Sequence, residues 1–360
     1  MATTNRDALL KLVSLLRPAL SNQSFIPALT HLRFDAGQVT AYNDVTAIKA
    51  KAPIDLSACV PGELFIKALS SFNADSVALD ALESDKGSIT TLLLTSGRSK
   101  LKVPVLPVKD FPLREPSGDC HVVPFDNEML DGIRKCLFSV GSDPTHPAQM
   151  GVTLESEDGK AVFYSSDNFT ISRCQTKSKV DLPAGAPIIL PTFFCEQMLV
   201  LAKTYSDDDV DLEVYPNALR CTFGKKASLL TKTLADLEPL DFQKIMGKYL
   251  KVADVKKHLC RIPDTFDAAW NRALLVLANE ADKATAVAGG GKLLLQSKSA
   301  LGHAEDELEM EKLPKADFHI DPTLVVRAAK TCGSIAFYDR VLVLASDDGS
   351  FIHLIAHCSA

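Results

Sequence analysis

Hydrophobic and polar positions change period several times along this chain, and each change marks an element. From Asp7 to Leu20 the apolar residues recur at three and four, with Leu9, Leu12, Val13, Leu16 and Leu20 on one stripe, which predicts an amphipathic helix. Alternation follows. LRFDAGQVTAYND and TAIKAKAP flank a turn at Asn43-Asp44, and a second helical stretch opens at Pro61 (PGELFIKALSSF). VALDALES and SITTLLLT then meet around Asp85-Lys86-Gly87, SKLKVPVL follows, and Asp110-Phe111-Pro112 closes the stretch before a Pro/Gly/Ser-rich linker, FPLREPSGDC.

The same order then replays. A helix is predicted over Asn127 to Phe138, followed by strands in GVTLESEDGKAVFYSSDN and FTISRCQTK, whose turn at Asp167-Asn168 answers the one at Asn43-Asp44. A Pro-led helix begins at Pro191 (PTFFCEQMLVLAKTY), strands follow in VDLEVYP, ALRCTFGK and SLLTKTLAD, and Asp241-Phe242 ends the unit. A third unit starts near Lys248, with a first helix around Asp264 to Ala273 and strands predicted in LLVLANE, ATAVAG and KLLLQSKS. After the acidic segment HAEDELEMEKL comes the helix at Pro322 (PTLVVRAAKTCG), and then IAFYDR, VLVLASDD and FIHLIAH. From Pro61 to Pro191 is 130 residues and from Pro191 to Pro322 is 131, the same interval that separates Asp110-Phe111 from Asp241-Phe242. Markers sharing one long period mean one structural unit used three times. Proline at a helix start costs nothing, since the N–H it lacks would be unpaired there. Helix, strands, helix, strands in each unit predicts an α+β fold of three similar domains, 1–118, 119–247 and 248–360, each with two helices packed on antiparallel sheets.

Composition narrows the function. The chain has 360 residues, enough for three cores of about 120 residues each. No apolar run approaches the roughly 18 residues of a membrane span, and the N-terminus is amphipathic with Arg6 and Asp7, unlike a secretory leader, so a cytoplasmic protein with no membrane partner is expected. Net charge is −6, which argues against a wholly basic nucleic-acid protein but not against basic residues confined to one face. The nine cysteines form no C-x-x-C pair and read as buried thiols. Gly289-Gly290-Gly291-Lys292 lacks the spacing of a phosphate loop, His303-Ala304-Glu305 lacks the partner cysteines of a zinc deaminase, and no G-x-S-x-G occurs. No catalytic residues, metal ligands or cofactor are expected, so a scaffold or binding module is the reading.

The order of elements, the triple repeat and several strings together resemble the bacterial and phage DNA polymerase III beta subunit family, the DNA sliding clamps. Ser96-Gly97-Arg98-Ser99-Lys100-Leu101 followed by Leu106-Pro107-Val108-Lys109-Asp110-Phe111-Pro112 is similar to that family's S-G-R-S-[RK]-F and L-P-x-x-D-F-P. Arg272-Ala273-Leu274-Leu275 with Asn279-Glu280, and then HAEDELEM from His303 to Met310, are similar to its R-A-x-x-L-x-N-E and its acidic stretch. The resemblance implies the DNA-clamp fold in a ring-forming, head-to-tail homodimer that encircles double-stranded DNA without reading sequence. It also implies tethering of a DNA polymerase and a clamp loader through short peptide motifs, in the host cytoplasm if the chain is phage-encoded.

Site residues follow from the resemblance. Helices facing DNA would present Arg6, Lys11, Arg17, Lys67, Arg134, Lys135, Lys203, Arg327 and Lys330; for any one of these the alternative is a solvated helix face. Across the dimer interface Arg98, Lys100 and Lys102 would meet Glu305, Asp306, Glu307, Glu309 and Glu311, around Leu101, Val103, Leu274 and Leu275. The alternative is that these charges blunt exposed strand edges. A partner-peptide pocket would use Ser166, Asn168, Phe169, Thr170, Ile171, Pro239, Ile245, His353 and Ile355. Phe169-Thr170 stands where most of the family has His-Arg, and the end AHCSA replaces its M-P-M-R-L, departures that leave the preferred peptide open. From another class, a clamp-fold structural or regulatory protein that does not close around DNA remains an alternative.

Overall fold

The computed structural model describes residues 2–83, 89–233, 237–277, 284–310, 313, 315–338 and 340–357. The turn expected at Asp85-Lys86-Gly87, the motif residues Asn279 and Glu280, Glu311 and Cys358 lie outside them. By their contacts the residues form two compact units, 1–125 with 196–235 and 126–195 with 236–360, so that the segment 119–247 contributes to both. Each unit holds one eight-stranded and one four-stranded sheet, and the described strand pairs are antiparallel.

In the first unit the large sheet runs Ala58–Pro61, His31–Asp35, Gln38–Tyr42, Thr46–Lys51, Ala227–Lys232, Ala218–Phe223, Val210–Val214, His121–Phe125. The small sheet runs Ala2–Asn5, Ser76–Glu83, Ile89–Ser96, Ser99–Pro104. Two helices, Arg6–Leu16 and Gly62–Ser71, pack against each other and bury Leu9, Val13, Leu16, Phe65 and Leu69 completely. Asn5 caps the first, its Oδ1 accepting from the Ala8 N–H at 2.8 Å. That helix ends four residues before the expected Leu20, because Pro18 cannot continue the hydrogen-bond ladder, and a 3-10 turn, Arg17–Ala19, takes over.

The second unit repeats the large sheet strand for strand, whereas its small sheet is built from the strands before the Pro322 helix, where the first unit's comes from Ala2–Asn5 and the strands after the Pro61 helix. Its large sheet runs Ile188–Pro191, Gly151–Glu157, Lys160–Ser166, Thr170–Lys179, Phe351–Ala356, Val341–Ala345, Ser334–Phe337, Cys260–Arg261. The small sheet runs Gly302–Glu309, Lys292–Ser299, Ala284–Gly289, Ala316–Ile320. Asn127–Cys136 lies on the large sheet, Phe266–Leu275 packs on Pro322–Ala329, and Thr192–Thr204 contributes residues to both units. Each Pro-led helix follows a strand, with Pro61 and Pro191 as last strand residues and Pro322 in the first helical turn.

Two expectations change. LLVLANE was expected as a strand, but Leu274 and Leu275 complete the helix Phe266–Leu275 and Val276 lies in its closing turn. A short apolar run cannot separate buried helix from strand, and the stripe Phe266, Ala269, Trp270, Ala273 sets the helical period that prevails. The segment after Asp241, expected as a boundary only, forms two short helices, Phe242–Gly247 and Val252–His258.

The large sheets tolerate little backbone change. A Cβ added at Gly151 would sit 2.5 Å from the Leu190 carbonyl oxygen, and a backbone atom fixed in a strand cannot swing aside. Gly151→Ala should lower unfolding free energy by about 1–3 kcal/mol, read as a reduced urea midpoint at unchanged m-value.

Candidate functional site

In the second unit the hairpin turn at 167–170 builds one wall of a cavity. The Asp167 carboxylate accepts from the backbone N–H groups of Phe169 (3.1 Å) and Thr170 (2.7 Å) and from the Thr170 hydroxyl (2.8 Å). This fixes Asn168 in the left-handed region at φ 73°. The turn throws Phe169 outward, 64% exposed, and draws Thr170 in until it is buried. Asn168 Oδ1 accepts from Gln149 Nε2 at 2.6 Å, tying the mouth of the cavity together.

The floor comes from the strand that follows and from its neighbour. Ile171 lies directly opposite Leu354, and Ser172 opposite His353. Strand alternation puts Ile171 and Leu354 on the cavity face and Ser172 and His353 on the other. The small helix Phe242–Gly247 supplies Ile245, and Leu240 and Tyr249 flank it. The enclosed volume is about 200 Å³, and no lining residue is charged. Beneath it Phe242 stacks on Tyr164, centroids 5.0 Å apart, with the Arg173 guanidinium 5.8 Å from the tyrosine ring. Buried Arg173 donates to Glu157 at 2.7 Å and to the Tyr164 hydroxyl at 3.0 Å, and that hydroxyl donates to Glu157, so the buried charges are satisfied.

Five of the expected pocket residues therefore come together, namely Ser166, Asn168, Phe169, Ile171 and Ile245. Thr170, Pro239, His353 and Ile355 do not line the cavity. Their strand was placed correctly, but the cavity face of Phe351–Ala356 belongs to Leu354 and Ala356, one residue out of step with His353 and Ile355. A one-residue slip reverses every side chain of a strand, and FIHLIAH is too uniformly apolar to fix the face. His353 is instead sealed behind the sheet, its Nδ1 2.8 Å from the Ser172 hydroxyl, which is itself 2.8 Å from the Ser139 hydroxyl. Burial, with the Arg327 charge second, pushes the imidazole down to about 3, so it stays neutral at physiological pH. Gln149, Leu240, Tyr249 and Val341 were missed because they come from loops and from a strand far away in sequence.

The basic residues of the helices divide into two sets. Arg6 pairs with Asp7 (3.1 Å), Arg17 with Glu63 (2.7 Å), and Arg134 and Lys135 share Asp131 (2.7 and 2.9 Å). Lys135 also lies 5.9 Å from the Phe351 ring centroid and is only partly exposed. Lys11, Lys67, Lys203, Arg327 and Lys330 are exposed and make no ion pair with a described residue.

Each small sheet ends in an outer strand of one charge. Ser99–Pro104 presents Lys100 and Lys102 outward, with Arg98 exposed at the preceding turn, and Leu101 partly covered on the opposite face. Val103, expected at an apolar interface centre, is wholly buried in its own sheet and cannot reach a partner. Gly302–Glu309 presents Glu305, Glu307 and Glu309, while Leu274 is partly covered and Leu275 is 77% exposed. Three acids of this strand already have partners in the chain, with Glu307 on Lys292 (2.6 Å), Glu305 on Gln296 (2.6 Å) and Asp306 on Arg272 (2.5 Å).

No cluster that could hold a metal ion exists among the described residues, and no described helix is long and apolar enough to cross a membrane. Of the eight described cysteines only Cys120 is exposed, and burial raises the thiols of Cys59 and Cys174 to about 11 and of Cys332 to about 12.

No protein-family model matches the chain. Individual proteins do. The beta sliding clamp of Caulobacter vibrioides is 24% identical over 324 residues, covering 86% of this chain and 84% of that protein. The beta sliding clamp of Pseudomonas aeruginosa is 22% identical over 262 residues, 70% of each. The chain is homologous to the bacterial beta sliding clamps. Solved structures agree along its whole length. A crystal structure of the Caulobacter crescentus beta sliding clamp superposes with a TM-score of 0.85 at 18% identity, covering 100% of this chain and 99% of that one. The Pseudomonas aeruginosa DNA polymerase III subunit beta gives 0.83 at 17%, covering 100% of both chains. The Thermotoga maritima beta subunit gives 0.82 at 15%, covering 100% and 99%. The sliding-clamp fold is thus established for the full chain.

Within this clamp fold the Glu155 carboxyl, in the strand Gly151–Glu157, titrates near neutrality. Burial, with the nearby Glu157 and Asp241 carboxylates, raises Glu155 to about 7 against the opposing pull of Arg173. A carboxyl raised in the folded state stabilises the fold while protonated, and that stabilisation is lost as pH climbs from about 4.5 through about 7. Glu155→Gln should remain at its melting temperature relative to the parent at pH 5 and gain on it at pH 8, as followed by calorimetry at both pH values.

Proposed function

We propose that the chain is a DNA sliding clamp, a processivity factor built of three clamp domains, 1–118, 119–247 and 248–360. Two copies close head to tail into a ring around duplex DNA, and the ring tethers a DNA polymerase and takes a clamp loader through short peptides. It has no chemistry of its own in this reading. The observation that carries it is the strand-for-strand repeat of the eight-stranded sheet in a homologue of beta sliding clamps. A wall that encloses DNA needs copies of one unit.

A sliding tether wants diffuse cations that neutralise phosphates without reading bases. Lys11, Lys67, Lys203, Arg327 and Lys330 suit that role best, being exposed and without an ion pair to a described residue, whereas Arg6, Arg17, Arg134 and Lys135 are held by neighbouring carboxylates. Closure would pair the outer strand carrying Lys100 and Lys102, with Arg98 at its preceding turn, with the outer strand carrying Glu305, Glu307 and Glu309 of a second copy. Leu101, Leu274 and Leu275 would lie between them. Unpaired backbone groups along both edges support this, since an open edge is otherwise a hazard. The second reading, a clamp-fold interaction protein that stays open, is favoured by one observation: Asp306 and Glu307 already have cationic partners in the chain.

Sedimentation separates the two. The unmodified chain should run at twice its 38.9 kDa mass, and Lys100→Glu, which sets like charges against the acidic strand, should shift it to monomer; a monomeric parent chain would establish the open reading instead.

For the neutral cavity the occupant proposed is a short peptide with an apolar side chain beside a glutamine, which Gln149 and Asn168 could orient. Phe169→Ala should weaken a fluorescent peptide of the cognate polymerase by more than about 1 kcal/mol, read by anisotropy.

A further inference from the structure

The first unit contains the counterpart of this cavity. Asn43 holds its turn as Asp167 does, accepting from the Val45 N–H (3.1 Å) and the Thr46 N–H (2.8 Å), with Asp44 left-handed at φ 78°. Val45, where the other turn has Phe169, is 56% exposed. Ala47 lies opposite Leu230 as Ile171 lies opposite Leu354. Phe111, counterpart of Phe242, packs on Tyr42 at 6.4 Å, and Leu113 and Leu230 lie against the same buried cluster. The enclosed volume is about 400 Å³, about twice that of the other cavity.

The linings differ in charge and in the segment that closes them. Here the segment after Phe111 is extended through Pro112 and Pro116, where the other repeat has the helix Phe242–Gly247. Lys232 stands in register where the other cavity has Ala356, and Asp44 is 3.6 Å from it. Glu115 is engaged by Lys49 (2.6 Å) and Arg220 (2.5 Å). Arg114, exposed on the rim, makes no ion pair with a described residue. The wall thus carries an apolar floor and a surplus cation.

We propose that this cavity is a second peptide site, which takes a short extended segment with an apolar side chain in the pocket and an adjacent carboxylate on Arg114 and Lys232. It rests on the reading of the neutral cavity as a peptide site and differs from it in selecting an acidic ligand. A concave apolar floor with few convergent polar groups suits an apolar side chain, and Arg114, exposed and without an ion pair to a described residue, suits the carboxylate beside it.

Methyl-labelled full-length protein tests it by NMR with two probes, acetyl-Gly-Leu-Asp-Leu-Gly-amide and its Gln counterpart. The acidic peptide should shift the Val45, Leu113 and Leu230 methyls saturably, and Arg114→Gln with Lys232→Gln should weaken it about fivefold, the scale of exposed charge pairs. The Gln peptide should move Ile245 and Leu354 instead. If the Gln peptide does so while the acidic one leaves Val45, Leu113 and Leu230 unmoved, the second site is refuted and the first stands. If neither peptide moves either set, the peptide reading fails for both cavities.

Discussion

Backbone hydrogen bonding across the seams between repeats is the constraint on which the rest depends. A four-stranded sheet leaves a row of N–H and C=O groups at its edge, and wherever that edge is buried they must be paired. Thr46–Lys51 meets that need by pairing with Ala227–Thr231, as Thr170–Cys174 does with Phe351–Ile355. Each seam turns two small sheets into one of eight strands, and each carries a hairpin turn to its end. The two cavities lie at those ends because only there do a turn, a seam and the segment after an Asp-Phe pair converge.

The turns show how few residues position a site. A carboxylate at 167 and an amide at 43 do the same work, gathering the next backbone N–H groups and forcing a left-handed residue after them. What the following position carries, Phe169 or Val45, then stands in solvent. The aromatic pairs below, Tyr164 with Phe242 and Tyr42 with Phe111, anchor the closing segments. Ionic side chains give each cavity its character. The neutral one has buried Arg173 paired with half-buried Glu157 beneath it, and the other carries Arg114 and Lys232 beside Asp44 and Glu115 on its rim.

Much of the fold was legible because the repeat is long and its punctuation is chemical. Within a helix proline is tolerated at the start and not in the interior, so the Pro-led helix starts at Pro61, Pro191 and Pro322 marked equivalent points without an alignment. The strands around Asn43-Asp44 and Asp167-Asn168 were legible from alternation and turn residues together. LLVLANE was not, since a run apolar at every position has no period to read. The short helices after Asp241 were missed because their stability comes from packing Phe242 and Met246 into a core assembled from distant strands.

The sequence by itself determined the repeat, the type of most elements and the charge of each outer strand, because periodicity and composition are local properties. Only the tertiary structure decided which face of Phe351–Ala356 lines a cavity, that Val103 is core, and which helix cations are held by carboxylates. Those outcomes depend on what lies opposite a side chain. Neighbours such as Gln149 and Leu354, or Arg17 and Glu63, are brought together by folding across separations that no local pattern encodes.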